Sequence, residues 1–197
     1  YENNIVGTLN LIEQMQLANV KSIIFSSSAT VYSKEEPLPW KEDSKKLSPT
    51  NPYGYSKLFI ERILYDLAKA NHEFKIGILR YFNPVGAHKS GMLGELFDKN
   101  SNNLIPNILN VLSGTKNFFD LYGNNYDTPD GTCIRDYIHI NDLVNGHVQA
   151  MKYLEKHKGY HIWNLGSGRG YSTLNIIHAF EKKLSKKIPV ESGERRK

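Results

Sequence analysis

Tyr53-Gly54-Tyr55-Ser56-Lys57, with Ser26-Ser27-Ser28 upstream, holds the residues best suited to chemistry in this chain. Tyr53 and Lys57 are four positions apart, which puts both side chains on one face of a helix, one turn apart. A free phenol titrates near ~10 and is a poor base at neutral pH. A neighbouring ammonium favours the phenolate. A hydroxyl from Ser28 can then share the substrate proton with that phenolate. Together the three make an acid/base unit that takes a proton from an alcohol while a hydride leaves its carbon. Tyr-x-x-x-Lys alone occurs on many surface helices. The serine strand placed before it gives the pattern its meaning.

Such a unit needs a strand that ends at the serines and a helix that begins just before the tyrosine. Lys21 to Ser26 reads as a short apolar strand, and a helix is expected from near Pro52, with Phe59, Ile63, Leu64 and Leu67 on its apolar face. Between them, Ser33 to Pro52 is polar and proline-bearing, a long loop. Upstream, Ile5, Leu9, Ile12, Leu17 and Ala18 lie close to helical spacing over residues 1 to 19. Downstream, Phe74 to Tyr81 is the next strand. Helix, strand, helix, strand argues for parallel βαβ units and an α/β sheet.

After Pro84 the pattern changes. Residues 85 to 103 are rich in Gly and Asn and read as a loop that shapes a site. Leu104 to Leu112 is expected as a helix, Phe118 to Tyr122 as a strand, Tyr126 to Gly131 as a turn and Ile134 to Ile138 as a strand. Asn141 or Asp142 is expected to cap a helix running to about Tyr153. Tyr160 to Leu165 reads as a strand, and Ser172 as the cap of the last helix.

Composition bounds the rest. At 197 residues the chain suits one domain or parts of two, and 40% hydrophobic content supplies a core. No apolar run reaches the ~18 residues of a membrane span. Cys133 is the only cysteine, which excludes an intrachain disulfide and fits a reducing cytoplasm. The net charge of +5 admits nucleic-acid binding. The plainer reading is a solvated helix face carrying Lys182, Lys183, Lys186 and Lys187. The chain opens inside an expected helix and reads as a piece of a longer protein.

Two patterns compete with the main site. Gly166-Ser167-Gly168-Arg169-Gly170 lies between a strand and a helix, as a phosphate-binding turn would. The third glycine of Gly-x-Gly-x-x-Gly would fall on Tyr171, so a tight turn into a helix is expected instead. The seven histidines are scattered without metal-ligand spacing, so no metal site is expected.

Five runs carry a resemblance. They are Ser26 to Tyr32, Asn51 to Lys57, Arg80 to His88, Asp130 to His139 and Trp163 to Gly166. In sequence and order they resemble the extended short-chain dehydrogenase/reductase family, on its nucleotide-sugar epimerase branch. The likeness runs over essentially the whole chain, and Arg80-Tyr81-Phe82-Asn83-Pro84-Val85-Gly86-Ala87-His88 is its most specific part. It implies interconversion of UDP-glucose and UDP-galactose through a 4-keto intermediate, with bound NAD. By position, Ser28, Tyr53 and Lys57 fall on the catalytic residues; Asn3 and Phe82 join those three as NAD contacts. Asn83, Asn103, Asp120, Leu121, Tyr122, Arg135 and Arg196 fall on the UDP-sugar site, beside Ser28 and Tyr53.

Each assignment has a plainer alternative. Asn103 also fits a helix N-cap, Arg135 a surface ion pair with Asp136, Phe82 core packing and Asn3 an exposed helix face. The family's glycine-rich dinucleotide turn does not occur in the sequence, so this piece alone is expected to be inactive. The resemblance implies the second half of a Rossmann-like domain over residues 1–84 and 140–165. Residues 85–139 and 166–197 would belong to the substrate side. It implies a homodimer through residues 1–19 and 54–71. A nucleotide-sugar dehydratase on the same fold remains open, although Ala29 and Thr30 stand where that chemistry uses an Asp-Glu pair. So does a silent nucleotide-sugar or NAD sensor.

Overall fold

Apolar Ile23, Ile24 and Phe25 run into three serines, and in the computed structural model this stretch is the first strand of a parallel sheet. The structure describes residues 1–95, 98, 101 and 103–195. In chain order it holds a π-helical turn Glu2–Val6, α1 (Gly7–Leu17), β1 (Ser22–Ser28), a 3-10 turn Ala29–Val31, α2 (Pro52–Ala70), β2 (Lys75–Tyr81) and β3 (Asn83–Val85). There follow α3 (Leu104–Leu112), β4 (Phe119–Tyr122), β5 (Ile134–His139), α4 (Ile140–Lys156), β6 (Gly159–Leu165), β7 (Gly170–Ser172), α5 (Thr173–Leu184) and β8 (Val190–Gly193).

The chain divides into two units, and the division falls between Phe82 and Asn83, between Ile140 and Asn141, and between Gly166 and Ser167. The first unit is α/β and Rossmann-like. Its sheet runs β1-β2-β6, all parallel, with Ser27 level with Arg80 and Arg80 level with Asn164. Ile60, Leu64 and Ala68 of α2 bury against Ile76 and Ile78 of β2, with Phe74 and with Ile12 and Met15 of α1. Each fully buried aliphatic side chain is worth about 1.5–3 kcal/mol against exposure, so this face sets where α2 lies on the sheet.

The second unit holds a three-stranded sheet, β3-β5-β7, and a two-stranded parallel pair, β4-β8. Its core joins Ile108 and Val111 of α3 to Phe119 and Leu121 of β4, Ile177 of α5 and Ile188.

Several expectations need correction. On α2, Leu64 is buried and Ile63 and Leu67 pack against the core as expected, but Phe59 is 46% exposed and Ile60 takes its place inside. On α1, Leu9 and Leu17 are exposed while Met15 is buried. α4 begins at Ile140, directly after β5, so neither Asn141 nor Asp142 is its cap residue. Gly170 opens β7 rather than leading straight into a helix, and the pairing of β7 with β5 supplies its backbone bonds. β3 and β8 were not expected. They are three and four residues long, too short for a period-two pattern to show.

Candidate active site

Tyr53 stands in the first turn of α2, where Pro52 fits because its missing N–H would be unpaired anyway. Asn51 is the N-cap, its Oδ1 accepting from Gly54 N at 2.8 Å. The positive end of the helix dipole therefore faces Tyr53, which is 52% exposed and open to a ligand. Lys57 follows one turn later. Its Nζ donates to the Ser26 carbonyl at 2.9 Å and lies 5.6 Å from the centre of the Tyr53 ring. Burial pushes the Lys57 ammonium below the usual lysine value.

Ser28 ends β1 and is buried. Its Oγ accepts from Thr30 N at 3.2 Å and from Thr30 Oγ1 at 3.0 Å, which fixes the turn. Gly54 brings that turn and α2 together. A Cβ there would stand 2.8 Å from Pro49 Cβ and 2.9 Å from the Thr30 carbonyl oxygen. Only glycine lets the first turn of α2 close so tightly on the turn that holds Ser28. The structure thus brings Ser28, Tyr53 and Lys57 into one neighbourhood, at the carboxyl end of a parallel strand, where open α/β sheets bind ligands.

Around them, Tyr81 at the end of β2 shares a 2.7 Å hydrogen bond with Ser26 Oγ and another with His147 Nε2. Burial pushes the Tyr81 phenol up, and the nearby Tyr53 adds to the rise. Phe82 packs partly buried on the Ala29, Val31, Tyr32 cluster, with its ring 6.3 Å from that of Trp40. Asn3 is exposed on the π-helical turn and its Nδ2 donates to its neighbour Asn4 at 3.3 Å. Asn4, not Asn3, bonds toward α2, its Nδ2 donating to Ser56 Oγ at 2.9 Å.

The remaining expected residues lie in the second unit. Asn83 donates from Nδ2 to the Asp136 carbonyl at 2.8 Å, tying β3 to β5. Arg135 is exposed, with Nη1 on the Ile134 carbonyl at 2.8 Å. No ion pair with Asp136 stands among the described residues, because successive strand residues point to opposite faces. The Asp136 carboxylate instead accepts from Ser167 N and Ser167 Oγ, both at 2.7 Å, and from Gly168 N at 2.8 Å. Two amides that a phosphate would need in the Gly166–Gly170 turn, those of Ser167 and Gly168, are thus already satisfied by a carboxylate. Asn103 holds the N-cap position of α3 without a capping side-chain bond, its Nδ2 lying 3.2 Å from Glu95 Oε1. Asp120 pairs with Lys116 at 3.1 Å, Leu121 is buried and Tyr122 is half-buried, all on β4. Arg196 lies outside the described residues.

Sequence reasoning missed the groups behind the acid/base residues. Glu61 and Arg80 form a buried ion pair, Nη2 to Oε2 at 2.6 Å. Burial by itself would lower the Arg80 pKa, but the bonds and charge of Glu61 outweigh that and hold it above its ordinary value. A signal that each is buried was available, though none that they meet. Arg80 is a lone cation after Ile76 to Leu79, and Glu61 sits between apolar Ile60 and Leu64.

Known proteins resemble this chain over its whole length. A UDP-glucose 4-epimerase of Yersinia enterocolitica is 50% identical over 196 residues, covering 100% of this chain and 58% of its own length. One from Erwinia amylovora is 48% identical with the same coverage. A crystal structure of UDP-glucose 4-epimerase from Bifidobacterium longum in complex with NAD+ and UDP superposes with a TM-score of 0.94 at 48% identity. It covers 100% of this chain and 58% of that one. The chain therefore spans less than two thirds of the length of these relatives. Residues 1–166 match the family described as "NAD dependent epimerase/dehydratase family", and the chain belongs to that family.

Proposed function

We propose that the protein carrying this chain interconverts UDP-glucose and UDP-galactose by epimerisation at C4. The observation that carries the reading is the closure of α2 on the Ser28 turn through Gly54, with Lys57 beside Tyr53. Tyr53 takes the proton of the sugar 4-hydroxyl, and Ser28 lies in the hydrogen-bond path. Lys57 keeps positive charge beside the Tyr53 ring. After the keto sugar turns over, the same tyrosine returns the proton.

NAD, when bound, supplies the reversible hydride acceptor. The residues fit that group. Lys57 has spent one donor on Ser26 and carries others, Phe82 gives an apolar wall, and the strand ends offer the usual cofactor edge. Asn83, Asn103, Asp120, Leu121, Tyr122 and Arg135 are assigned to the UDP-sugar; the exposed Arg135 guanidinium suits a pyrophosphate. Ala29 follows Ser28 and is buried, so no carboxylate stands there for water elimination. No described helix is long and apolar enough to cross a membrane. We assign the protein to the cytoplasm and to a homodimer, the latter supported by exposed Leu9, Tyr55 and Phe59 on α1 and α2. The lysine face is not read as a nucleic-acid site: Lys186 donates to the Leu112 carbonyl and Lys187 pairs with Glu181.

The test is the fate of the hydride. UDP-galactose deuterated at C4, given to the intact enzyme, is expected to yield UDP-glucose with the label still at C4. Label lost to solvent, or a dehydrated product, contradicts the reading.

A further inference from the structure

Behind the acid/base residues lies a charge cluster that the proposed reaction does not use. Arg80 is 1% exposed, Ser27 2% and Glu61 3%. The guanidinium grips the carboxylate with Nε to Oε1 at 3.0 Å and Nη2 to Oε2 at 2.6 Å. Ser27 Oγ donates to the same Oε1 at 2.5 Å. The third arm, Nη1, donates to Tyr32 Oη at 2.9 Å, and Tyr32 donates to Asn164 Oδ1 at 2.7 Å. Every arm of the fork is occupied, and the cluster joins α2, β1, β2, β6 and the turn after β1.

A buried ion pair is a poor way to gain stability, because desolvation offsets its attraction and apolar residues of like volume serve as well. What a planar bidentate fork does supply is direction. Its members are placed for that use. Glu61 is four residues after Lys57 and eight after Tyr53, on the same face of α2. Ser27 precedes Ser28 on β1, and Arg80 is level with Ser27 across the sheet. One carboxylate therefore bonds both to the strand that presents Ser28 and to the strand that leads to Phe82. A shift of α2 by one residue, about 1.5 Å, would break both arms of the fork. Misplacement of about 1 Å is enough to cost a reaction ~100-fold.

We propose that the Glu61–Arg80 pair, with Ser27, is the positioning device of the proton-transfer step: it fixes the register and rotation of α2 on β1, and with them the approach of Tyr53 and Ser28 to one substrate oxygen. These are positioning residues, since none is assigned a contact with substrate or cofactor. The inference rests on the epimerase reading above.

The experiment compares Glu61→Gln, Arg80→Lys and Ser27→Ala with the wild type in the intact enzyme. Turnover of UDP-galactose is counted per NAD-loaded site, with circular dichroism as the check on fold. Glu61→Gln keeps the acceptor for Ser27 but not the charge; Arg80→Lys keeps the charge but not the fork. Both are expected to lower kcat about 10-fold or more, with KM within about 3-fold of wild type. Ser27→Ala removes one hydroxyl and leaves the pair intact, so it decides the matter if the other two fail to fold; a kcat loss of about 3–10-fold at unchanged KM is expected. A merely structural role would reduce the number of loaded sites and leave kcat per site alone. Unchanged kcat per site in Ser27→Ala and in every variant that folds overturns the positioning role. A wild type that fails to turn over UDP-galactose overturns the epimerase reading instead.

Discussion

Lys57 shows how much at the residue scale depends on one side chain serving two surfaces. Its Nζ is anchored 2.9 Å from the Ser26 carbonyl, lies 4.9 Å from the centre of the Phe25 ring and 5.6 Å from that of Tyr53. Replacing it by Met keeps the stem and removes the charge. Turnover per NAD-loaded site in the intact enzyme is then expected to fall by about 10-fold or more, because the charge beside Tyr53 and the anchor on Ser26 are both lost. Unchanged turnover per site would show that Lys57 only fills space. The same scale explains why Ser28, Tyr53 and Lys57 could be grouped from the sequence. Tyr53 and Lys57 are linked by helical spacing, which is a local rule, and Ser28 by the end of a strand. The Glu61–Arg80 pair was not read, because its two partners are 19 residues apart and on different elements. Nothing local announces which charge a buried arginine will meet.

At the scale of elements, the helices and longer strands followed from periodicity, while the short strands and exact faces did not. The Leu104–Leu112 helix matched its expected bounds, since its apolar residues crowd into one short run. β3, β7 and β8 exist only by pairing with distant segments, so their formation is set by tertiary contacts. α5 is a case where the local signal and a distant partner agree. Ser172 caps it in a reciprocal box with Asn175, and Ser172 Oγ also donates to the Asp130 carboxylate. Thr132 adds bonds to Asp130 Oδ1 from its N at 2.9 Å and its Oγ1 at 2.8 Å. Burial pushes the Asp130 carboxyl up, but these bonds outweigh it and hold the group below the ordinary aspartate value. The sign follows from linkage. A depressed folded-state value gives stability that is present above the unfolded value near ~3.9 and lost as pH falls through the folded one. Asp130→Asn is therefore expected to lower stability at neutral pH and to flatten its decline below about pH 4, read from urea melts across pH 2 to 7. Parallel curves for wild type and variant over that range would contradict the role given to Asp130.

At the scale of the whole molecule, the first unit presents apolar side chains that its own core does not take up. Leu9 is 46% exposed, Tyr55 38% and Phe59 46%, and the tilted rings of Tyr55 and Phe59 have centres 6.0 Å apart. These are the helices assigned to the homodimer. Phe59→Glu is expected to convert the intact enzyme from dimer to monomer in sedimentation equilibrium at micromolar concentration, since a carboxylate would be buried without a partner. A dimer of unchanged strength would remove α2 from the interface. The division into two units also accounts for what the motifs could not convey. The acid/base residues and Phe82 belong to the first unit, whereas Asn83, Asn103, Asp120 to Tyr122 and Arg135 belong to the second. A motif that runs through Phe82 and Asn83 gives no sign that the chain passes from one to the other there.

The central claim, that Tyr53 carries the proton at C4, is tested most directly by Tyr53→Phe in the intact enzyme. The change removes one hydroxyl from a side chain that is 52% exposed, so circular dichroism and thermal melting should match wild type. Turnover of UDP-galactose is expected to fall by at least ~100-fold, the scale of a lost general acid/base. Near-normal turnover in a correctly folded Tyr53→Phe enzyme would contradict the account.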